Sequence, residues 1–215
     1  MGKLLKKEIT LCMHPTVPIM LLLSAMVFIP SYPYSVIFFY VAMSIFFTCL
    51  TGRENNDIAY SVMLPVPKRD VVKARFAFAV LAELTQIVLM IPLVILKNSA
   101  AAGINEAGLD ANTALFGLAF IDYAIFNAVF FSGYYKNVKK VGVSFVRASV
   151  AVFLFVAVEV TSTYAVPFVR DVLDTPDPQY TAQKLVFLAL GAVIFALGTF
   201  LTYKRSARSF ETQDI

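Results

Sequence analysis

Three carboxylates stand inside long apolar stretches of this sequence: Glu83, Asp122 and Glu159. A charge at the centre of a membrane helix costs about 2.5 to 3.5 kcal/mol, so such side chains face protein or a water-filled cavity and not lipid. They can pass protons or cations along a pathway or line a conduit for a polar substrate. Equally they can close interhelical hydrogen bonds, with Glu83 meeting a weakly polar stripe formed by Tyr40, Ser44 and Thr48 at helical spacing. Other chemistries lack their residues. There is no Gly-rich loop ending in Gly-Lys-Ser/Thr, no His-Glu-x-x-His pair and no Gly-x-Ser-x-Gly elbow. The single histidine, His14, belongs at the headgroup-level start of a helix. Cys12 and Cys49 read as inert buried thiols. No catalytic residue and no metal site are expected.

Composition sets the class of element that must position the carboxylates. Of 215 residues 59% are hydrophobic and 15% charged, against about 25% charged in a soluble domain. Mean hydropathy is +0.76. Several apolar runs approach the ~20 residues that cross ~30 Å of hydrocarbon, and they run continuously where barrel strands would alternate. The expected fold is an all-α integral membrane protein, one transmembrane domain over 1–215.

Residues 2–10, with Lys3, Lys6 and Lys7 beside Leu4, Leu5 and Ile9, read as an interfacial helix. A signal peptide also begins with basic residues, but Pro30-Ser31-Tyr32-Pro33 is a poor cleavage site and a further span follows at once. Six spans are expected at about 11–29, 34–50, 76–96, 113–133, 143–166 and 184–203. The first tolerates Pro15 and Pro18 in its opening turns. Residues 97–112 read as a loop, and Pro167 to Gln183 as an acidic segment with a helical turn or two around Phe168 to Leu173. Ala189, Ala192 and Ala196, with Gly191 and Gly198, suggest a close helix contact, either internal or at a dimer seam.

An even number of spans puts both termini on one side. Placing 1–15, 51–75, 134–147 and 204–215 together gathers 15 of the 18 Lys and Arg, leaving Lys97, Arg170 and Lys184. Lys and Arg accumulate in cytoplasmic loops, so both termini and the 52–75 loop are expected in the cytoplasm. The net charge of +4 is then membrane sidedness and not a nucleic-acid footprint.

The longest polar interruption between spans is Gly52 to Arg75, GRENNDIAYSVMLPVPKRDVVKAR. Asn55, Asn56 or Asp57 can cap a short helix, and Pro65 with Pro67 stops it. Ile58, Tyr60, Met63 and Leu64 offer apolar anchors for a partner. The pattern Arg53-Glu54-Asn55-Asn56-Asp57, then Ala59-Tyr60-Ser61, then Leu64-Pro65-Val66 and Lys68-Arg69-Asp70-Val71-Val72 resembles the permeases of type 2 ABC exporters. It is similar to the short bacterial branch with a separate ATPase subunit, which includes the phenol-soluble modulin exporter permeases.

The resemblance implies a division of labour. The loop becomes a coupling helix, Asn55 to Leu64 ending at Pro65, seated in a groove of a cytoplasmic ABC ATPase, with Lys68, Arg69 and Lys73 at its membrane-side exit. ATP and Mg would be bound by that ATPase and no cofactor by this chain, and a second permease chain, identical or different, would complete a dimer in the membrane. The substrate would be amphipathic or hydrophobic, such as a peptide or a lipid-like molecule, exported across the cell membrane, and Val166 to Tyr180 would correspond to partly re-entrant gating helices. Two other classes stay open. An ion-coupled secondary carrier would use Glu83, Asp122 or Glu159, and a membrane anchor or assembly factor would transport nothing.

Overall fold

The structure, a computed structural model, describes residues 2–100 and 105–213, so 101–104 of the expected 97–112 loop lie outside the described residues. Every element among the described residues is helical. Helix α1 (Gly2–Lys7) runs on as a π-type turn over Glu8–Cys12. Helix α2 (Thr16–Leu22) tightens into a 3₁₀ segment over Leu23–Phe28. There follow α3 (Ser35–Glu54), α4 (Asp57–Met63), α5 (Lys68–Ser99), α6 (Thr113–Tyr134), α7 (Val141–Ala165) and α8 (Thr181–Glu211), with a π-type turn at Val169–Leu173 before the last.

Five of these helices are long and apolar enough to cross a membrane, and the sixth candidate is a bent pair. The expected first span of 11–29 is corrected here. Gly2–Cys12 and Thr16–Phe28 meet at 84°, broken at Met13 to Pro15. Proline disfavours helical backbone in the residue before it, and its ring leaves no N–H to continue the ladder. His14 fills the break. Its N–H donates to Thr48 Oγ1 at 3.2 Å, and its Nδ1 accepts the N–H of Thr16 at 3.2 Å. The 7 and 6 residues beyond the break cover roughly 22 Å, short of the ~30 Å of a hydrocarbon core.

The third expected span is the middle of a longer element. Pro67 adopts the extended backbone that precedes a helix start, and α5 then runs unbroken for 32 residues, so its first turns belong to the polar loop. Helix α6 starts where Asn112 Oδ1 accepts the N–H groups of Ala114 and Leu115, satisfying two of the otherwise unpaired first-turn donors.

Helices α3 and α6 are the most enclosed, with α5, α7 and α8 around them carrying apolar side chains on their outer faces. Phenylalanines fill much of the seams: Phe76 lies 4.3 Å from Phe131 between ring centroids, and Phe46 lies 4.0 Å from Phe145. The closest helix contact is α6 against α8. Gly191 faces the backbone of Gly117 so closely that an added Cβ would strike the Gly117 carbonyl oxygen. Ala189 and Ala196 point outward, so the glycine and not the alanine row makes the internal seam.

Candidate functional site

Four charged side chains from three elements meet at the end of the bundle that carries α4. Arg75, at the root of α5, places Nε 2.5 Å from Glu8 Oε2 and Nη2 2.5 Å from Asp57 Oδ2. Lys7 reaches Asp57 Oδ1 at 2.6 Å and donates to Ser61 Oγ at 2.6 Å. Glu8 is 1% and Arg75 2% exposed. Two cations thus neutralise two anions out of water, which such charges require. Burial opposes ionisation of Asp57, yet Arg75 and then Lys7 hold its carboxyl below the usual carboxylate range. Burial likewise works against the Lys7 ammonium, but its hydrogen bond to Asp57 and the charge of Glu8 carry it above its ordinary value.

The cluster fixes the inward side of α4. Ile58 enters the main core and Ser61 is buried, while Tyr60 is 65% and Met63 82% exposed. Leu64 is half-buried in extended backbone ahead of the exposed Pro65. The expected side-chain cap does not form. Asn56 takes a left-handed backbone, φ 52°, that reverses the chain between α3 and α4; asparagine tolerates that conformation better than most residues. Asn55 and Asn56 are exposed, and the Asp57 carboxylate turns to the cations instead. Lys68 donates to the backbone oxygen of Gln213 at 2.6 Å and Arg69 pairs with Glu211 at 3.2 Å, so these two hold the end of α8; Lys73 is exposed. Acceptor atoms of Glu8, Cys12 and Asp57 lie within 4.8 Å of one another. With both carboxylates already matched by Arg75 and Lys7, the arrangement is a neutral ion-pair cluster with no spare negative charge for a further cation.

The carboxylates within the spans sit deeper. Glu83 Oε2 accepts from Asn127 Nδ2 at 3.1 Å, and Asn127 also reaches Thr199 Oγ1 at 3.4 Å. The expected pairing of Glu83 with Tyr40, Ser44 and Thr48 is therefore overturned. Ser44 and Thr48 donate to Val41 O and Ser44 O of their own helix, as hydroxyls in helices commonly do, and the Tyr40 hydroxyl meets that of Tyr32 at 2.6 Å. Gln86 donates to Ile37 O at 3.0 Å and accepts from the Tyr123 hydroxyl. Asp122 is 2% exposed, and its Oδ1 has no hydrogen-bond partner among the described residues. Glu159 accepts from Ser35 Oγ at 2.8 Å and from the N–H of Leu109 at 3.3 Å.

The opposite end is closed by a second polar network. Lys97 pairs with Asp110 at 2.7 Å and lies over the Tyr34 ring. Asp174 Oδ1 accepts the N–H of Asp110 at 2.7 Å, and Asn112 Nδ2 donates to Leu173 O at 2.7 Å. Lys184 pairs with Asp177 at 3.0 Å, and Asp177 also accepts from the Thr113 hydroxyl at 2.8 Å. Burial opposes ionisation of Asp177, but Thr113 and Lys184 hold its carboxyl below the usual range. For Asp174 burial wins over the Asp110 N–H and pushes the carboxyl up to about 6. Lys97 and Lys184, two of the three cations that the charge bias left over, are fully buried in these pairs.

One end of the bundle thus carries an exposed short helix keyed to a buried ion cluster, and the other a polar cap. Residues 3–211 match the family described as ABC-2 family transporter protein. The chain belongs to that family. It is a multi-pass permease of the ABC-2 type, and such a permease implies a partner ATPase subunit. No curated protein and no solved structure matches the chain.

In this ABC-2 permease the polar loop stands out in the sequence but its wiring does not. Arg75 stands at the edge of an apolar run, and nothing local tells that it reaches across to Glu8, far away in the sequence. Lys7 and Glu8 read as interfacial charges because their partners, Asp57 and Arg75, are brought to them only by the fold.

Proposed function

We propose that this chain is the exporter half of an ATP-driven transporter, with α4 as the helix on which a separate cytoplasmic ATPase acts. The observation that carries it is the two-sided build of α4. Tyr60 and Met63 face out as large apolar anchors, while Asp57 and Ser61 are held by Lys7 and Arg75. A push on the outer side would be passed to α1 and α5 together, and rocking of packed helices exchanges access from one face to the other. Both termini would then lie in the cytoplasm, ATP and Mg would stay on the ATPase, and a second permease chain, identical or not, would complete the path. The apolar seams suit an amphipathic or hydrophobic substrate.

The test is co-purification in detergent with a co-expressed ABC ATPase subunit, followed by ATP-dependent efflux in vesicles that hold the pair. Tyr60→Asp with Met63→Asp is expected to abolish capture of the ATPase and efflux while the chain still inserts and keeps its melting temperature. Capture and transport that survive the double substitution would defeat the assignment of α4.

A further inference from the structure

A cavity of about 180 Å³ lies between α6, α7 and α8 beside the Val169–Leu173 turn. Its walls are largely hydrocarbon, including Leu118, Phe155, Leu173 and Phe187, with Val158, 66% exposed, at the mouth. Among the described residues the only ionisable side chain in the lining is Glu159, which is 5% exposed. Ser35 and the Leu109 N–H are neutral donors, and among the described residues no Lys, Arg or His forms an ion pair with Glu159. The three cations at this end, Lys97, Lys184 and Arg170, are taken by Asp110, Asp177 and Asp171. The carboxyl groups of Asp174 and Asp122 on neighbouring elements are acidic as well and offer Glu159 no counter-ion. A carboxylate set in an apolar wall without a counter-ion is costly, a cost relieved either by taking up a proton or by a cation brought to it.

We propose that this cavity is a binding site for a hydrophobic ammonium compound, its cationic nitrogen at Glu159 and its body among Phe155, Phe187 and Leu118. Size limits the body. A void of about 150 Å³ holds a benzene molecule, so this one takes roughly a phenyl ring with a short linker. The neutral donors on Glu159 leave lone pairs on each oxygen for an N–H from the ligand. Gly108 keeps room beside the carboxylate: its φ of 151° suits glycine, and an added Cβ would stand 3.4 Å from Glu159 Oε1. The amine could belong to a free amphiphile or to the end of a peptide, since the recognised chemistry is the same.

Binding is read on the full chain alone, in nanodiscs of zwitterionic lipid, so its failure is distinct from failure of ATPase coupling. The probe is a photoreactive phenylethylamine, compared with the alcohol and carboxylate of the same skeleton and mapped by mass spectrometry. Competition with phenylethylamine and with a short peptide bearing an amino-terminal Phe separates the two sources. The amine is expected to label the Phe155 and Phe187 region saturably, about tenfold or more better than the alcohol, as one charge-assisted hydrogen bond supplies. Glu159→Gln should erase that preference with the melting temperature kept, and Val158→Trp, which plugs the mouth, should lower labelling by both. Equal labelling by amine and alcohol in the unaltered chain overturns the site whether or not the variants accumulate, as does a preference that survives Glu159→Gln.

Discussion

Arg75 Nε stands 2.5 Å from Glu8 Oε2, joining the root of α5 to the amino-terminal helix where neither side chain meets solvent. The pair lacks hydrogen-bond alignment, so its attraction is between charges. Removing one partner of a buried pair costs about 3–5 kcal/mol because the other charge is left uncompensated, while replacing both by apolar or neutral groups is often neutral. Arg75→Gln should therefore destabilise the chain by about that amount in denaturant titration, and Glu8→Gln with Arg75→Met should recover most of the loss. A single-substitution cost below about 1 kcal/mol would remove the cluster from any mechanical role.

Glycine to alanine in a helix interior ordinarily stabilises by about 0.5–1 kcal/mol. The sign should differ between two glycines of this chain. At Gly191 an added Cβ would collide with the Gly117 carbonyl oxygen, whereas at Gly142 it would meet nothing within 4 Å. Gly191→Ala should cost about 1–3 kcal/mol by overpacking the seam of α6 and α8, and Gly142→Ala should be neutral or stabilising. Thermal melts of both variants read the contrast, and a stabilising Gly191→Ala would contradict the seam.

Long apolar periodicity made the helical class and the major spans legible, because a run of that length has no other place to go. The bends were less so. Pro15 could have sat in a first turn, and only the fold shows that the chain breaks there, at 84°, with His14 bonded to Thr48. Of the four apolar anchors expected on α4, Tyr60 and Met63 face outward, whereas Ile58 is buried in the main core and Leu64 is half-buried. The inward face of α4 was not legible, since Lys7, Glu8, Asp57 and Arg75 are joined by tertiary folding alone. For the same reason Lys97 and Lys184 read as stray charges, although each is one half of a buried pair.

Asn127 supplies the hydrogen bond seen at Glu83, reaching Oε2 at 3.1 Å from the neighbouring helix. Asn127→Leu leaves that buried acceptor unpaired and should cost about 1–3 kcal/mol. Removing both groups, Glu83→Leu with Asn127→Leu, should cost less than the two single changes added together. Additive costs in a double-mutant cycle of melting free energies would mean that the two side chains do not interact.

Asp174 makes the opposite end sensitive to acid in an uncommon direction. Burial pushes its carboxyl up to about 6, so the folded chain holds the proton more tightly than the unfolded one does. Stability from this group is then fully present below the ordinary Asp range and is lost as pH rises through about 6. The cap over Val169–Leu173 should therefore be tighter near pH 5 than near pH 7.5. Protonation does not break the contact with Asp110, because the carbonyl oxygen of a neutral carboxyl still accepts its N–H. Lys184 and Lys97 lower the titration and Asp110 raises it, so all three belong in the control set. Hydrogen exchange of the Val169–Leu173 segment, corrected for the intrinsic pH dependence of exchange, should show protection falling as pH rises. Asp174→Asn keeps an acceptor for Asp110 but cannot ionise, and should flatten the profile at the protected level; a slope that persists in that variant would place the titrating group elsewhere.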